Sequence, residues 1–155
     1  MYQKTRAILQ KKFGKIDFET NCLNFNFTHY YEKEMGAPLS RRFISFAKLK
    51  RPDDLVSAKL FCMKIEKKFA KANMRSVNID PGYLNEAKLV LTTTKDYHHR
   101  IYVGRGIFEE VTLYYAKSDF RNFDTTYPDY RTVEYKNYFR TIRGKYRQDI
   151  KKHEK

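Results

Sequence analysis

Between Leu55 and Ala72, the residues Leu55, Ala58, Cys62, Ile65, Phe69 and Ala72 recur at steps of three and four. Only one face of an α-helix brings such positions together, so this stretch is expected to form a helix laid against a core. Its start is equally marked. Pro52 suits a first turn whose missing N–H is no loss, and Asp53 and Asp54 face the positive end of the helix dipole.

Around that helix the apolar pattern changes period. "KIDFET" alternates at Ile16, Phe18 and Thr20, whereas "CLNFNF" alternates at Leu23, Phe25 and Phe27, so the inward parity switches near Asn21 and implies a bulge or bend. "RRFISFAKL", "SVNID", "AKLVLTTT", "HRIYV" and "IFEEVTLYYA" read as further strands separated by turn residues. Residues 2–13 read as a helix stopped by Gly14, and "YYEKEMG" as a helical turn closed by Gly36. Asp80-Pro81-Gly82 reads as a type II turn with Gly82 supplying positive φ. Tyr135, Tyr138, Phe139, Ile142, Tyr146 and Ile150 mark a C-terminal amphipathic helix, and its other face carries Lys136, Arg140, Arg143, Lys145 and Arg147. This order predicts an α+β fold, a mostly antiparallel sheet with helices packed on it. The specific expectation is a ferredoxin-like core lacking its first strand, because the chain begins at a helix.

A length of 155 residues suits one domain, residues 1–155, that buries its own core. Hydrophobic residues are 41% of the chain, with 12 Phe and 13 Tyr, which argues against disorder. Cys22 and Cys62 show no CxxC or zinc spacing and fit unpaired thiols in a reducing compartment. No apolar run reaches the roughly 18 residues of a membrane span, so a soluble cytoplasmic protein is expected. The net charge of +14 supplies a field that attracts nucleotides or RNA. A chain heavy in Lys, Asn, Tyr, Phe and Ile also reflects AT-rich coding, and basic residues are interspersed with acids except in "RTIRGKYRQDIKKHEK".

"TTKDYHHRIYVGRG" concentrates the candidate chemistry. Ile101 and Val103 share odd parity with Ile107, Val111 and Leu113, which sets a hairpin register with Arg100 opposite Glu110 and His99 opposite Val111. Gly104-Arg105-Gly106 is then a three-residue loop and not a phosphate nest, since no helix N-terminus follows it. Arg100 facing Glu110 reads as a cross-strand ion pair or a substrate clamp. His99 reads as a core histidine or as a general acid or base. His98 and His99, adjacent on a strand, point to opposite faces, so no shared metal site is expected. The even face, with His98, Arg100, Tyr102, Phe108, Thr112 and Tyr114, interleaves cations and rings as a base-stacking sheet does, unless a helix covers it. At the other strand end Lys95, Asp96 and His99 are expected to cluster, with Asp80 approaching the same rim. "TYPDYR" adds Asp129 or Thr132 as a helix N-cap, with Arg131 nearby. Such a rim can hold a phosphate through Lys95 and Arg131 while His99 moves a proton.

"GKIDFET", "FTHYYEKEMGAPLSRRFISF", "NIDPGYLNEAKLVLTTTKDYHHRIYVGRGIFEEVTLYY" and "TYPDYRTVEY" together resemble an uncharacterised prokaryotic family, domain-of-unknown-function family 4416, from about Ala7 to about Tyr146. Two departures stand out: the apolar N-terminal strand usual in the family is absent, and Thr125 stands where tryptophan is usual. Members often carry the label GTP-binding. The residues here do not support that label. Gly144-Lys145 is followed by Tyr146 and preceded by Phe139 at the first glycine position of a P-loop, and "TTTKD" lacks the guanine-reading Asn-Lys-x-Asp.

Three functions are therefore expected in order: binding of a phosphate-bearing ligand (RNA or nucleotide) without a P-loop; a metal-independent hydrolase or transferase on a phosphorylated substrate with His99 as acid/base, Asp80 and Asp96 being further catalytic candidates; and a scaffold docking an acidic partner through the basic C-terminal helix. Lys95, Arg100, Tyr102, Glu110, Asp129 and Arg131 are the ligand-binding candidates. The sequence points to no cofactor and sets no oligomeric state.

Overall fold

The computed structural model describes residues 1–28, 32–72 and 74–153. The chain gathers into two compact units, one of residues 1–50 and 60–79, the other of residues 51–59 and 80–155.

In the first unit, helix α1 spans Tyr2–Phe13 and ends at Gly14, whose φ of 103° and N–H bond to the Gln10 carbonyl make it the expected stop. Strands β1 (Ile16–Glu19) and β2 (Leu23–Asn24) are separate, as the parity switch predicts. Helix α2 (Glu32–Met35) follows β2, then strands β3 (Ser40–Arg41) and β4 (Ile44–Phe46). Antiparallel ladders join β1 to β4, with a bulge between Ile16 and Phe18, and β2 to β3. Gly36 closes α2 with positive φ; the tyrosines expected to open that turn, Tyr30 and Tyr31, lie outside the described residues. Helix α3 runs Leu55–Phe69 after a 3-10 turn at Pro52–Asp54, and its residues from Leu60 onward belong to this unit. Its residues Cys62 and Ile65 join Leu9 of α1 in a buried cluster, with Phe13, Phe46, Phe61, Phe69 and Ile79 packed against it.

The order α1, β1, β4, α3 matches the interior of a ferredoxin-like unit. The expected strand at 76–80, which would follow α3 in such a unit, is not formed. Side chains meet the needs of this segment instead: Glu66 accepts the Ile79 N–H at 2.5 Å, and Arg75 forks onto Glu34 at 2.6 and 2.8 Å while reaching Asn78 at 2.7 Å. The Arg75 guanidinium holds the Glu34 carboxyl below its ordinary range. The helical stripe also ends early, since Ala72 lies beyond α3, exposed and at φ 48°.

The second unit is an antiparallel sheet of β5 (Gly82–Leu84), β6 (Lys88–Thr93), β7 (Ile101–Gly104), β8 (Ile107–Ala116) and β9 (Asp119–Asn122), followed by helix α4 (Val133–His153). Five strands in succession with no helix between them are not the order of a ferredoxin-like sheet. The order across the sheet is β5-β6-β8-β7, with β9 also on β8. Helix α4 lies against β5 and β9, where Phe139 stacks on Tyr130 (5.7 Å, 6°) and meets Phe120 edge-on at 6.3 Å. Thr132 caps α4 by accepting the Tyr135 N–H at 3.3 Å, while Asp129 is buried in the preceding 3-10 turn, Pro128–Arg131.

Gly82 is not a positive-φ residue. It opposes Leu91 across the ladder, and a Cβ there would meet the Val90 carbonyl oxygen at 2.4 Å, so the glycine is required by close approach of two backbones and not by a turn.

Candidate functional site

Strand β8 has β6 along one edge, paired at residues 108–114. Its other edge is divided between two strands: β7 pairs at 107–109 and β9 at 113–116. No ladder covers Glu110, Val111 and Thr112 on that edge among the described residues. The loop after β9 fills part of the split, with the buried Thr126 hydroxyl donating to the Thr112 carbonyl at 2.7 Å. Facing it is the turn before β7, closed by the Arg100 N–H on the Tyr97 carbonyl at 2.9 Å. A cavity of about 430 Å³ lies here, lined by Tyr97, His98, His99 and Arg100 from the turn and by Asp124, Thr125 and Tyr127 from the loop.

Ile101 pairs with Glu109 and Tyr102 with Phe108, so the expected register holds and Arg100 reaches Glu110. The extra residue is absorbed differently, by a shift between Tyr102 and Gly104 and a two-residue turn with Arg105 at φ 58° and Gly106 at φ 73°. A second irregularity changes the faces. Val90 pairs with Val111 but Leu89 with Leu113, so Thr112 is an extra residue in β8. Parity reverses there, and the expected even face is therefore not one face: Arg100, Tyr102, Phe108 and Glu110 share a side with Leu113, and Tyr114 points the other way.

Glu110 is the centre of the site. Its Oε2 accepts from Arg100 Nε at 2.7 Å and lies 3.0 Å from His99 Nε2, and its side chain is 4% exposed. A carboxylate only accepts, so His99 donates through Nε2, with Nδ1 as its other ring nitrogen. That Nδ1 is buried and has no hydrogen-bond partner. Arg100 is fully engaged: Nη1 donates to the Lys95 carbonyl at 3.1 Å and Nη2 to the Tyr127 hydroxyl at 2.7 Å. Burial is the largest single influence and works against its charge, but the bonds and charges of Glu110 and Tyr127 together outweigh it and raise the guanidinium above its ordinary value.

The other candidates are dispersed. Asp80 pairs with Lys59 at 3.0 Å. Arg131 lies under the loop, its Nε on the Thr126 carbonyl at 2.7 Å and its Nη2 on the Asp124 carbonyl at 2.6 Å, which fixes the cavity wall. Lys95 and Asp96 are exposed and do not line the cavity. Tyr102 is exposed, its ring 5.3 Å from Phe108. His99 sits in a turn, so strand alternation does not separate it from His98; both line the cavity with ring centroids 5.2 Å apart. Among the described residues no group of three or more His, Cys, Asp or Glu side chains is arranged to hold a metal ion. Sequence reasoning missed Tyr97, Asp124, Thr125 and Tyr127 as cavity residues. The signal available was the run of short polar residues before Pro128, which marks a structured turn but not its neighbour across the sheet.

With this geometry in place, the comparisons place the chain. A family model described as Domain of unknown function (DUF4416) matches residues 1–146, so the chain belongs to that family. No curated protein and no solved structure matches it. Among the described residues no helix is long and apolar enough to cross a membrane.

Proposed function

We propose that the cavity in the divided edge of the sheet binds a phosphate-bearing ligand, a nucleotide or a segment of RNA. The observation that carries the reading is a small-molecule-sized cavity framed by two exposed tyrosines, Tyr97 and Tyr127, on a chain of net charge +14. Ring faces stack on bases of any sequence, each contributing about 1–3 kcal/mol, while the surrounding field draws in the phosphates.

The test is equilibrium binding of a labelled single-stranded oligonucleotide and of nucleoside monophosphates at low and moderate salt. Affinity for the oligonucleotide should fall as salt rises, and Tyr97→Ala should weaken binding by roughly 5- to 100-fold at fixed salt. Tyr97 is 61% exposed, so its removal leaves the fold intact. Absence of binding at low salt, or affinity for the oligonucleotide indifferent to salt, sinks the proposal. The acid/base reading has one observation in its favour, the imidazole of His99 oriented by Glu110 as in catalytic dyads. It ranks second because Nε2 is taken by Glu110 and Nδ1 is enclosed, so neither nitrogen is open to a substrate without a turn of the ring.

A further inference from the structure

The part of the ligand that enters the cavity follows from which polar atoms are open there, an inference that rests on the nucleotide or RNA reading of the same site. Each guanidinium nitrogen of Arg100 is bonded within the protein, to Glu110, to the Lys95 carbonyl and to Tyr127. Arg131 is turned to the loop itself, where it donates to two carbonyls. Asp124 supplies the one carboxylate of the residues lining the cavity, together with Thr125 and His98, and among the described residues it has no ion pair. A phosphate placed against that carboxylate meets like charge, while both nearby guanidinium groups are already bonded within the protein.

The loop that presents Asp124 is preorganised. Arg131 holds the carbonyls of Asp124 and Thr126, and the Thr126 hydroxyl donates to Thr112 and accepts the Phe123 N–H at 2.9 Å. The backbone that carries the Asp124 carboxylate is thus held in place, and a carboxylate, which only accepts, selects for donors.

We propose that the cavity takes the nucleobase and leaves the phosphate outside, and that Asp124 is the specificity-determining residue, favouring bases with an exocyclic amino group over uracil. Adenine, cytosine and guanine each offer an amino N–H to the carboxylate. Uracil offers a single ring N–H flanked by two carbonyl oxygens, which face the carboxylate unfavourably.

The experiment measures binding of AMP, CMP, GMP and UMP, of single-stranded oligo-A, oligo-C and oligo-U of equal length, and of inorganic phosphate as competitor, to the full chain and to Asp124→Asn. The amino-bearing ligands should bind about 10-fold or more tighter than their uracil counterparts, and inorganic phosphate should not displace them. Asp124→Asn adds a donor that can meet a uracil carbonyl, so UMP or oligo-U should gain affinity while the others lose it; a structural role for Asp124 predicts uniform weakening. Discrimination among the mononucleotides assigns a free nucleotide, and discrimination among the oligomers alone assigns an RNA strand. Binding without discrimination, competition by phosphate, or discrimination surviving in Asp124→Asn overturns this inference and leaves the binding reading standing. Absence of any binding overturns both.

Discussion

Replacing Arg100 with Met should be among the most damaging changes in the second unit. The Arg100 side chain is 9% exposed and its partner Glu110 4%, so neither charge is solvated to any extent. The substitution keeps most of the aliphatic volume and removes the hydrogen bonds to Glu110, the Lys95 carbonyl and Tyr127. Glu110 is then left buried with His99 as its remaining partner, and breaking one side of a buried pair costs about 3–5 kcal/mol. Urea unfolding followed by circular dichroism should show the midpoint lowered by more than about 1 M, given a slope of roughly 1–3 kcal/mol per molar. Glu110→Leu alone should cost a similar amount, because it strands the guanidinium. The double substitution should be no worse than either single one, since an apolar pair carries no desolvation penalty, and the coupling read from the cycle should be at least as large as one single loss, about 3–5 kcal/mol. A loss below about 1 kcal/mol for Arg100→Met is the value of an exposed ion pair and would refute the claim that this pair is buried and structural.

Two further changes test other parts of the fold. Gly82→Ala forces a Cβ to 2.4 Å from the Val90 carbonyl oxygen, a backbone atom inside a ladder, and should cost about 1–3 kcal/mol by thermal or urea unfolding; a neutral outcome would mean that β5 is loosely attached. Burial raises the pKa of Glu109, with Lys88 opposing only in part, so its contribution to stability is fully present below the unfolded carboxyl value and is lost as pH rises through the higher folded value. Glu109→Gln should therefore melt above the wild type at pH 7, with the gap closing near pH 4; a variant that melts lower at pH 7 would show that the ionised carboxylate is stabilising.

The helices and the two longest strands could be read from the sequence because each depends on local period. Cys62 and Ile65 are buried where the stripe puts them, and the charges Lys59 and Glu66 lie buried beside them, engaged by Asp80 and by the Ile79 N–H. Strand β9 left no trace because its hairpin turns at Lys117 and Ser118, both at positive φ without glycine or asparagine to announce it. The segment 76–80 alternates like a strand, yet its backbone is satisfied in part by Glu66, a partner thirteen residues away that no local pattern reveals. Arg100 opposite Glu110 was legible, since parity is local to one hairpin. What it was worth was not, because the burial of Glu110 depends on the bulge at Thr112 and on a loop from beyond β9.

That bulge bears on all three functional readings. Had β8 kept its parity, the expected even face would be a continuous stripe of rings and cations, and base stacking would belong to the open sheet. With Thr112 inserted, Tyr114 turns to the opposite side and pairs with Phe123 at 4.8 Å, so the stripe is interrupted. The basic face of α4 is drawn inward in a comparable way. Arg140 bonds Asp119, Arg143 donates to the Glu86 carbonyl at 2.8 Å while lying 3.5 Å over the Tyr115 ring, and Arg147 pairs with Glu86 at 3.0 Å. Cations committed to the rim of their own sheet contribute less to docking an acidic partner than their number suggests. They still contribute to the long-range field, which depends on net charge and not on free valences. The same helix thus weakens the scaffold reading more than the binding one, since the field that draws in a phosphate-bearing ligand needs no uncommitted side chain.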